Sequence, residues 1–309
     1  MTKIISIIIP FYNEKENIIS ILSDIKKKLF NSTKYNFEII LMDNHSNDGS
    51  DEIAKNEMKN FDSIKYFRLS RNFGYQSNIK AGLEKCTGDA AVQLDADGED
   101  DPILILDFIK QWENGYDVVY GIRKNRKENF FLSFLRNKFY TFLNKFSDIN
   151  LPNGAGDFRL IDRKVIDYLK VFDEKNLYLR GLISFIGFKQ TGIQYDRLSR
   201  KYGKSKISIL KYFDIAMSAI TSFTRFPLLL IFFLGVIFFS ISIVLSLVYL
   251  LLFLFGIIQE PGFTTIILIQ LFFFGLIMFI VGIISLYVGY ILDEVKNRPN
   301  YIIEDEKEK

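Results

Sequence analysis

The chain has 309 residues, 49% of them hydrophobic, and sets 39 Lys and Arg against 36 Asp and Glu. A net charge of +3 gives no basic face for nucleic acid, and one cysteine with one histidine excludes an internal disulfide and a His/Cys zinc cluster. Charge is concentrated before about residue 225, whereas Phe226–Gln259 and Pro261–Leu292 carry none, so a polar globular portion precedes a membrane portion.

In chain order, Ile4–Ile9 is an apolar run too short for a signal peptide and without a small-residue cleavage site, and it reads as a buried first strand. Further strands are expected at Phe37–Met42, Ile64–Leu69, Ala90–Leu94 and Asp117–Tyr120, with helices at Glu16–Phe30, Ser50–Asn60, Gln76–Lys85 and Ile103–Glu113. The alternation predicts an α/β domain, a Rossmann-like, mostly parallel sheet with helices on both faces. Ligands of such sheets sit outside the carboxyl ends of the strands. Three of those ends are polar: Pro10-Phe11-Tyr12-Asn13-Glu14, Asp43–Ser50 and Asp95–Pro102. None carries Gly-x-Gly-x-x-Gly, and Gly203-Lys204-Ser205 is not a P-loop tail, because Leu198 stands where the leading glycine belongs.

Asp95 and Asp97, one residue apart where the chain leaves the pleat, can point the same way. Such hard oxygen ligands suit Mg²⁺ or Mn²⁺, with substrate phosphates completing the shell and Glu99 available as a third oxygen. An Asp-rich turn is the bland alternative.

Farther on, Ser205–Thr224 spaces Ile207, Leu210, Phe213, Met217, Ile220 and Phe223 for an amphipathic helix lying in a membrane interface, with packing on the globular domain as the alternative. Phe226–Phe255 and Phe263–Leu292 are each long enough to cross a bilayer. The linker between them lacks Lys and Arg, whereas Lys201, Lys204, Lys206, Lys211, Arg225, Lys296 and Arg298 flank the opposite ends. The positive-inside rule therefore puts both termini on the cytoplasmic side.

Ile7–Glu14, the Asp43 segment and Asp95-Ala96-Asp97, in this order, resemble family 2 glycosyltransferases with the GT-A fold. Asp157–Asp162 with Leu179-Arg180-Gly181-Leu182, and Arg200–Lys206 leading into Ile220–Phe223, are similar to the polyprenyl-phosphate branch. That branch includes dolichyl-phosphate mannosyltransferases and bacterial enzymes that glucosylate undecaprenyl phosphate. The resemblance runs from Ile4 through both apolar segments. It implies inverting transfer of one sugar from a nucleotide sugar, with a UDP-sugar such as UDP-glucose favoured, to a membrane polyprenyl phosphate at the cytoplasmic face of a prokaryotic inner membrane. It divides the chain into a catalytic domain (1–204), a juxtamembrane helix (205–225), a two-helix membrane domain (226–292) and a charged tail (293–309). Packing of the spans in a homo-oligomer fits this organisation.

By the same resemblance, Pro10, Tyr12, Glu14 and Asp43 line the nucleoside pocket, and Asp95, Asp97 and Glu99 hold the metal on the donor diphosphate. Arg123, Arg136, Arg200, Lys201 and Lys206 would face donor and acceptor phosphates, unless they form a solvated face. Asp157 would act as a base or orient Arg159, or else pair with arginine for structure. Asn44-His45 replaces the more usual Asp-Gly, and lone His45 reads as a loop substitution. Two other readings lose ground. A processive polysaccharide synthase would carry Gln-x-x-Arg-Trp, but the single Trp is Trp112 in Lys110-Gln111-Trp112-Glu113. A catalytically silent scaffold for a flippase would have no need of Asp95 and Asp97, and both are intact.

Overall fold

Five isoleucines in Ile4–Ile9 leave a strand without a polar face, and β1 (Ile4–Phe11) is accordingly buried at every residue after Ile4. The computed structural model describes residues 2–30, 34–124, 130–147, 149, 155–200, 217, 219–224, 226–255 and 262–307. The chain forms two compact units, Met1–Ser222 with Arg298–Lys309, and Phe223–Asn297.

In the first unit β1 is followed by β2 (Asn36–Asp43), β3 (Ile64–Leu69), β4 (Ala90–Gln93), β5 (Val118–Arg123), β6 (Ala155–Asp162), β7 (Gln190–Tyr195) and β8 (Ile303–Lys307). Its helices are α1 (Lys15–Ile25, continued as a π-turn over Lys26–Phe30), α2 (Ser50–Asn60), α3 (Tyr75–Lys85), α4 (Leu104–Glu113), α5 (Phe130–Phe146), α6 (Arg163–Val171) and α7 (Leu179–Ile186). The sheet order is β7-β5-β6-β4-β1-β2-β3-β8. Strands β4, β1, β2 and β3 run parallel, β6 is antiparallel to both β4 and β5, and β8 is antiparallel to β3. The chain steps outward from β1 through β3 and then returns to the other side of β1. That reversal opens a crevice at the carboxyl ends of β1 and β4.

The expected mostly parallel α/β sheet is present, and its first five strands and four helices lie within a few residues of the sequence reading. One sheet face is packed by α1 (Ile18, Ile21, Leu22, Ile25), α2 (Ala54, Met58) and α4 (Ile105, Phe108, Ile109, Trp112). Helix α3 packs on the opposite face, where a Cβ on Gly82 would stand 2.5 Å from Ile8 Cγ2 and 3.1 Å from Met42 Cγ. Gly82→Ala is therefore expected to cost about 1–3 kcal/mol of stability by overpacking, read as a fall in the thermal midpoint. An unchanged midpoint would mean that α3 can slide outward at no cost.

The second unit contains α8 (Phe226–Leu254) and α9 (Phe263–Lys296). Among the described residues one stretch, Phe272–Lys296, is long and apolar enough to cross a membrane, and Phe226–Phe238 is a shorter apolar stretch. The two-span expectation thus has one span supported by length and composition. Of the expected juxtamembrane helix, Met217 and Ala219–Phe223 are described and helical, Thr224 is described and lies outside any helix, and the other residues lie outside the described ones. The chain beyond α9 is more than a charged tail, because Ile303–Lys307 closes the β3 edge as β8.

Candidate active site

The turns after β1 and β2 are stitched together. Asn13 takes φ +55° and His45 φ +65°, left-handed conformations that favour glycine. The Asn13 N–H donates to Ser46 Oγ (2.9 Å), the Asn47 N–H to Asn13 Oδ1 (2.9 Å), and the Glu14 N–H to Ser50 Oγ (3.1 Å). Asp43 is fully buried at the end of β2. Its Oδ1 accepts from the Ser46 N–H (2.8 Å), and its Oδ2 accepts from Tyr66 Oη and Arg68 Nη1, both at 3.1 Å. Arg68 Nη2 also donates to the Ser46 carbonyl at 3.1 Å. Asp43 therefore organises the loop from inside, and both of its oxygens are engaged. Pro10 is buried in β1 opposite Met42, and Tyr12 is half-buried in the same turn.

The turn after β4 holds the acids. Asp95 Oδ1 accepts from Tyr75 Oη at 2.6 Å, and Gln93 Nε2 donates to the same hydroxyl at 3.0 Å. Burial, then the like charges of Asp97 and Asp100, push the Asp95 carboxyl up to about 7. Asp97 Oδ1 accepts the Glu99 N–H at 3.1 Å. Asp100 is fully buried; Tyr195 Oη donates to it at 2.5 Å, and Arg123 Nη2 and Arg197 Nε each lie 3.6 Å from its oxygens. Arg197 spans the cluster, ion-paired to Glu99 and 3.9 Å from Asp97 Oδ2. The segment Asp196–Arg200 then crosses to the β1 turn, with the Leu198 N–H donating to the Glu99 carbonyl (2.9 Å) and Arg200 Nη2 to Glu14 Oε1 (2.6 Å).

Among the described residues no three carboxylate, imidazole or thiol groups stand together as a metal cage. Glu99, expected beside Asp95 and Asp97, is engaged here by Arg197. Asp95 and Asp97 alone fit a Mg²⁺ or Mn²⁺ that keeps water and substrate phosphate as its other ligands. The crowding that raises Asp95 is the electrostatic mark of a place that gains from a cation.

Across the crevice, Asp157 on β6 is held by Arg180 of α7 through two bonds, Nε to Oδ1 and Nη2 to Oδ2, each 2.6 Å. Burial works to raise the Asp157 carboxyl, but Arg180 outweighs it and holds the group at about 2. Arg159 is not the partner; its Nη2 donates to the Gly156 carbonyl at 2.7 Å. Arg123 sits at the end of β5 with Nε 3.3 Å from Tyr195 Oη. The site thus brings together Glu14, Asp95, Asp97, Glu99, Asp157, Arg123 and Arg200. The Arg136 side chain, Lys201 and Lys206 lie outside the described residues.

Sequence reasoning gave no role to Tyr75, Asp100, Arg180, Tyr195 or Arg197. Arg180 lay within a quoted motif, Asp100 in the acidic turn, and Arg197 three residues before Arg200. Tyr75 and Tyr195 carried no signal, because their places in the site come from the sheet order alone.

The profile of the family described as glycosyl transferase family 2 matches residues 6–169. An uncharacterized glycosyltransferase of Bacillus subtilis, YkcC, is 40% identical over 300 residues, covering 97% of this chain and 93% of its own. The bactoprenol glucosyl transferase of Shigella phage SfV is 31% identical over 320 residues, covering 99% of each. Among solved structures, glucosyl-3-phosphoglycerate synthase from Mycobacterium tuberculosis, in complex with Mn²⁺, UDP-glucose and phosphoglyceric acid, aligns with a TM-score of 0.46 at 15% identity. That alignment covers 71% of this chain and 78% of that one.

Proposed function

Because the chain belongs to glycosyl transferase family 2, we propose that it moves one sugar, with glucose from UDP-glucose favoured, onto a membrane polyprenyl phosphate, with inversion. The observation that carries this reading is the gathering of the acids Asp95, Asp97, Asp100 and Glu14 with Arg123, Arg197 and Arg200 at the strand carboxyl ends, in a chain that also carries a helix apolar enough to cross a bilayer. Likeness to the bactoprenol glucosyl transferase over nearly the whole of both chains supports undecaprenyl phosphate as the acceptor.

The leaving group is a nucleoside diphosphate, so charge builds on its β-phosphate as the glycosidic bond breaks. Held by Asp95 and Asp97, a Mg²⁺ or Mn²⁺ would neutralise that charge. Arg197 and Arg123 stand where guanidinium groups can fork onto phosphate oxygens, and Arg200 lies at the nucleoside side through Glu14. The acceptor is a phosphomonoester with a second pKa of about 6, already largely dianionic at neutral pH, so it serves as its own nucleophile. A carboxyl held at about 2 is a poor base, so Asp157 acts by fixing Arg180 and the electrostatics around it.

Topology supports a membrane hairpin. The polypeptide leaves the globular unit after Ser222 and rejoins its sheet at β8, so it crosses any bilayer an even number of times between those points. With Phe272–Lys296 as one crossing, α8 is the other, and the catalytic unit and C-terminus share the cytoplasmic side.

The test is transfer by the full-length protein in detergent, with undecaprenyl phosphate, a panel of nucleotide sugars, and Mg²⁺, Mn²⁺ or EDTA, read by mass spectrometry of the lipid. A metal-dependent glycolipid from one donor is expected. No lipid product from any donor, with nucleotide still bound, would sink the acceptor assignment. In the same assay Lys201→Ala with Lys206→Ala should weaken lipid transfer more than donor hydrolysis, and equal losses would argue against an acceptor role for that basic segment.

A further inference from the structure

We propose that β8 is a working part of the donor site: Glu304, acting on Arg68 and His45, holds the Asp43–Ser50 loop in the shape that receives the donor nucleoside. The inference rests on the nucleotide-sugar reading and adds to it a positioning residue that lies outside every motif in the chain.

Tyr66 pairs with Lys307, Phe67 with Glu306 and Arg68 with Asp305, but Leu69 pairs with Ile303. One step along β3 is matched by two along β8, so Glu304 is the extra residue of a β-bulge. Side chains of a regular strand alternate between faces, and regular alternation would put Glu304 on the face of Glu306. Glu306 reaches Lys85 of α3 (2.8 Å), whereas Asp305 reaches Lys55 of α2 (2.9 Å) on the opposite face. The bulge breaks the alternation and turns Glu304 to the α2 side, next to its neighbour Asp305.

There Glu304 Oε2 lies 3.5 Å from Arg68 Nε and 3.5 Å from His45 Nδ1. Arg68 is the residue whose guanidinium grips Asp43 Oδ2, the Ser46 carbonyl and Asp51 of α2, each at 3.1 Å. His45 Nδ1 also faces the Leu69 carbonyl at 3.1 Å. The Leu69 carbonyl only accepts, so Nδ1 carries the proton and donates it there, with the Glu304 carboxylate standing beside it. A left-handed non-glycine residue costs conformational energy, and these two acceptors offset that cost at His45.

The strand is anchored well enough to impose this geometry. The Ser70 N–H donates to the Ile302 carbonyl (2.9 Å), Tyr301 Oη bonds to Glu84, and Asn300 Nδ2 donates to Asp173 Oδ1 and the Glu174 carbonyl, both at 3.1 Å. Covering the β3 edge would need only a flat charged strand. The bulge, and the acid it aims at the loop, go beyond that need.

The experiment measures UDP and GDP binding to the full-length protein in detergent by calorimetry, without lipid, together with donor KM and kcat. Glu304→Gln is expected to raise the Kd of the preferred nucleotide and the donor KM about five- to tenfold, with kcat within about twofold, the split expected of lost ground-state binding. Glu306→Gln breaks the Lys85 pair on the other face of the same strand and is expected to leave Kd and KM unchanged, even where its thermal midpoint falls as far. An unchanged Kd for Glu304→Gln, or an equal rise for Glu306→Gln, overturns the proposal while leaving the nucleotide-sugar reading standing. Failure of the unsubstituted protein to bind either nucleotide overturns both.

Discussion

Asp97→Asn is expected to lower kcat by on the order of 10²- to 10³-fold, the scale seen when one electrostatic partner of a developing charge is removed. The substitution should not weaken the fold. Asp95 is pushed up to about 7 by burial and by the charges of Asp97 and Asp100, so the folded protein holds a proton that the unfolded chain releases near pH 4. The sign follows from linkage: this contribution to stability is present below about pH 4 and is lost as pH rises through about 7. Removing the Asp97 charge lowers Asp95 and shrinks that loss. The thermal midpoint of Asp97→Asn should therefore fall less than that of the unsubstituted protein between pH 5.5 and 8. Mn²⁺ should raise the midpoint of the unsubstituted protein more at pH 8 than at pH 5.5, and should do little for the variant. Full activity of Asp97→Asn in the presence of EDTA would remove Asp97 from the mechanism.

The uneven legibility of the site has a physical cause. Strands β1, β2 and β4 are buried on both faces, so their apolar runs and the polar turns that end them stand out in one dimension. Those turns supplied Glu14, Asp43, Asp95 and Asp97. Strand β6, Ala155–Asp162, mixes Asp157 and Arg159 into a strand that pairs antiparallel on both sides, and it offers no comparable run. Strand β7, Gln190–Tyr195, is an edge strand with one fully buried residue, and β8, Ile303–Lys307, is mostly charged. Polar edge strands acquire their conformation from the neighbour that they cover, so their sequences look like loops. Apart from Tyr75 at the start of α3, the site partners that the sequence reading left out depend on those strands or on the segments beside them. Arg180 takes the place expected for Arg159 beside Asp157 because α7 follows β6 in space, and Arg197 reaches Glu99 because the chain leaves β7 over the acidic turn.

Arg180→Ala is expected to cost about 3 kcal/mol, the low end of the range for orphaning a buried charge, because the pair keeps some contact with solvent. The same conclusion follows from protons. Burial alone would raise the Asp157 carboxyl, but Arg180 holds it at about 2, below the roughly 3.9 of an unfolded aspartate. A depressed carboxyl contributes stability that is complete above about pH 4 and is lost as pH falls through about 2, so the pair is silent between pH 5 and 9. Asp157→Asn with Arg180→Leu should recover much of the stability lost by Arg180→Ala, because no unpaired charge remains. Catalysis separates the two roles that the sequence left open for Asp157. If the acceptor is its own nucleophile, the acid limb of kcat/KM lies near 6, where the phosphomonoester gains its second charge. That limb then stays in place in Asp157→Asn, even though the rate falls through misplacement of Arg180. If Asp157 were the base, the variant would lose the limb altogether. A carboxyl held at about 2 would also have to accept a proton from a phosphate about four units more basic, a transfer that runs downhill toward the phosphate and away from the aspartate.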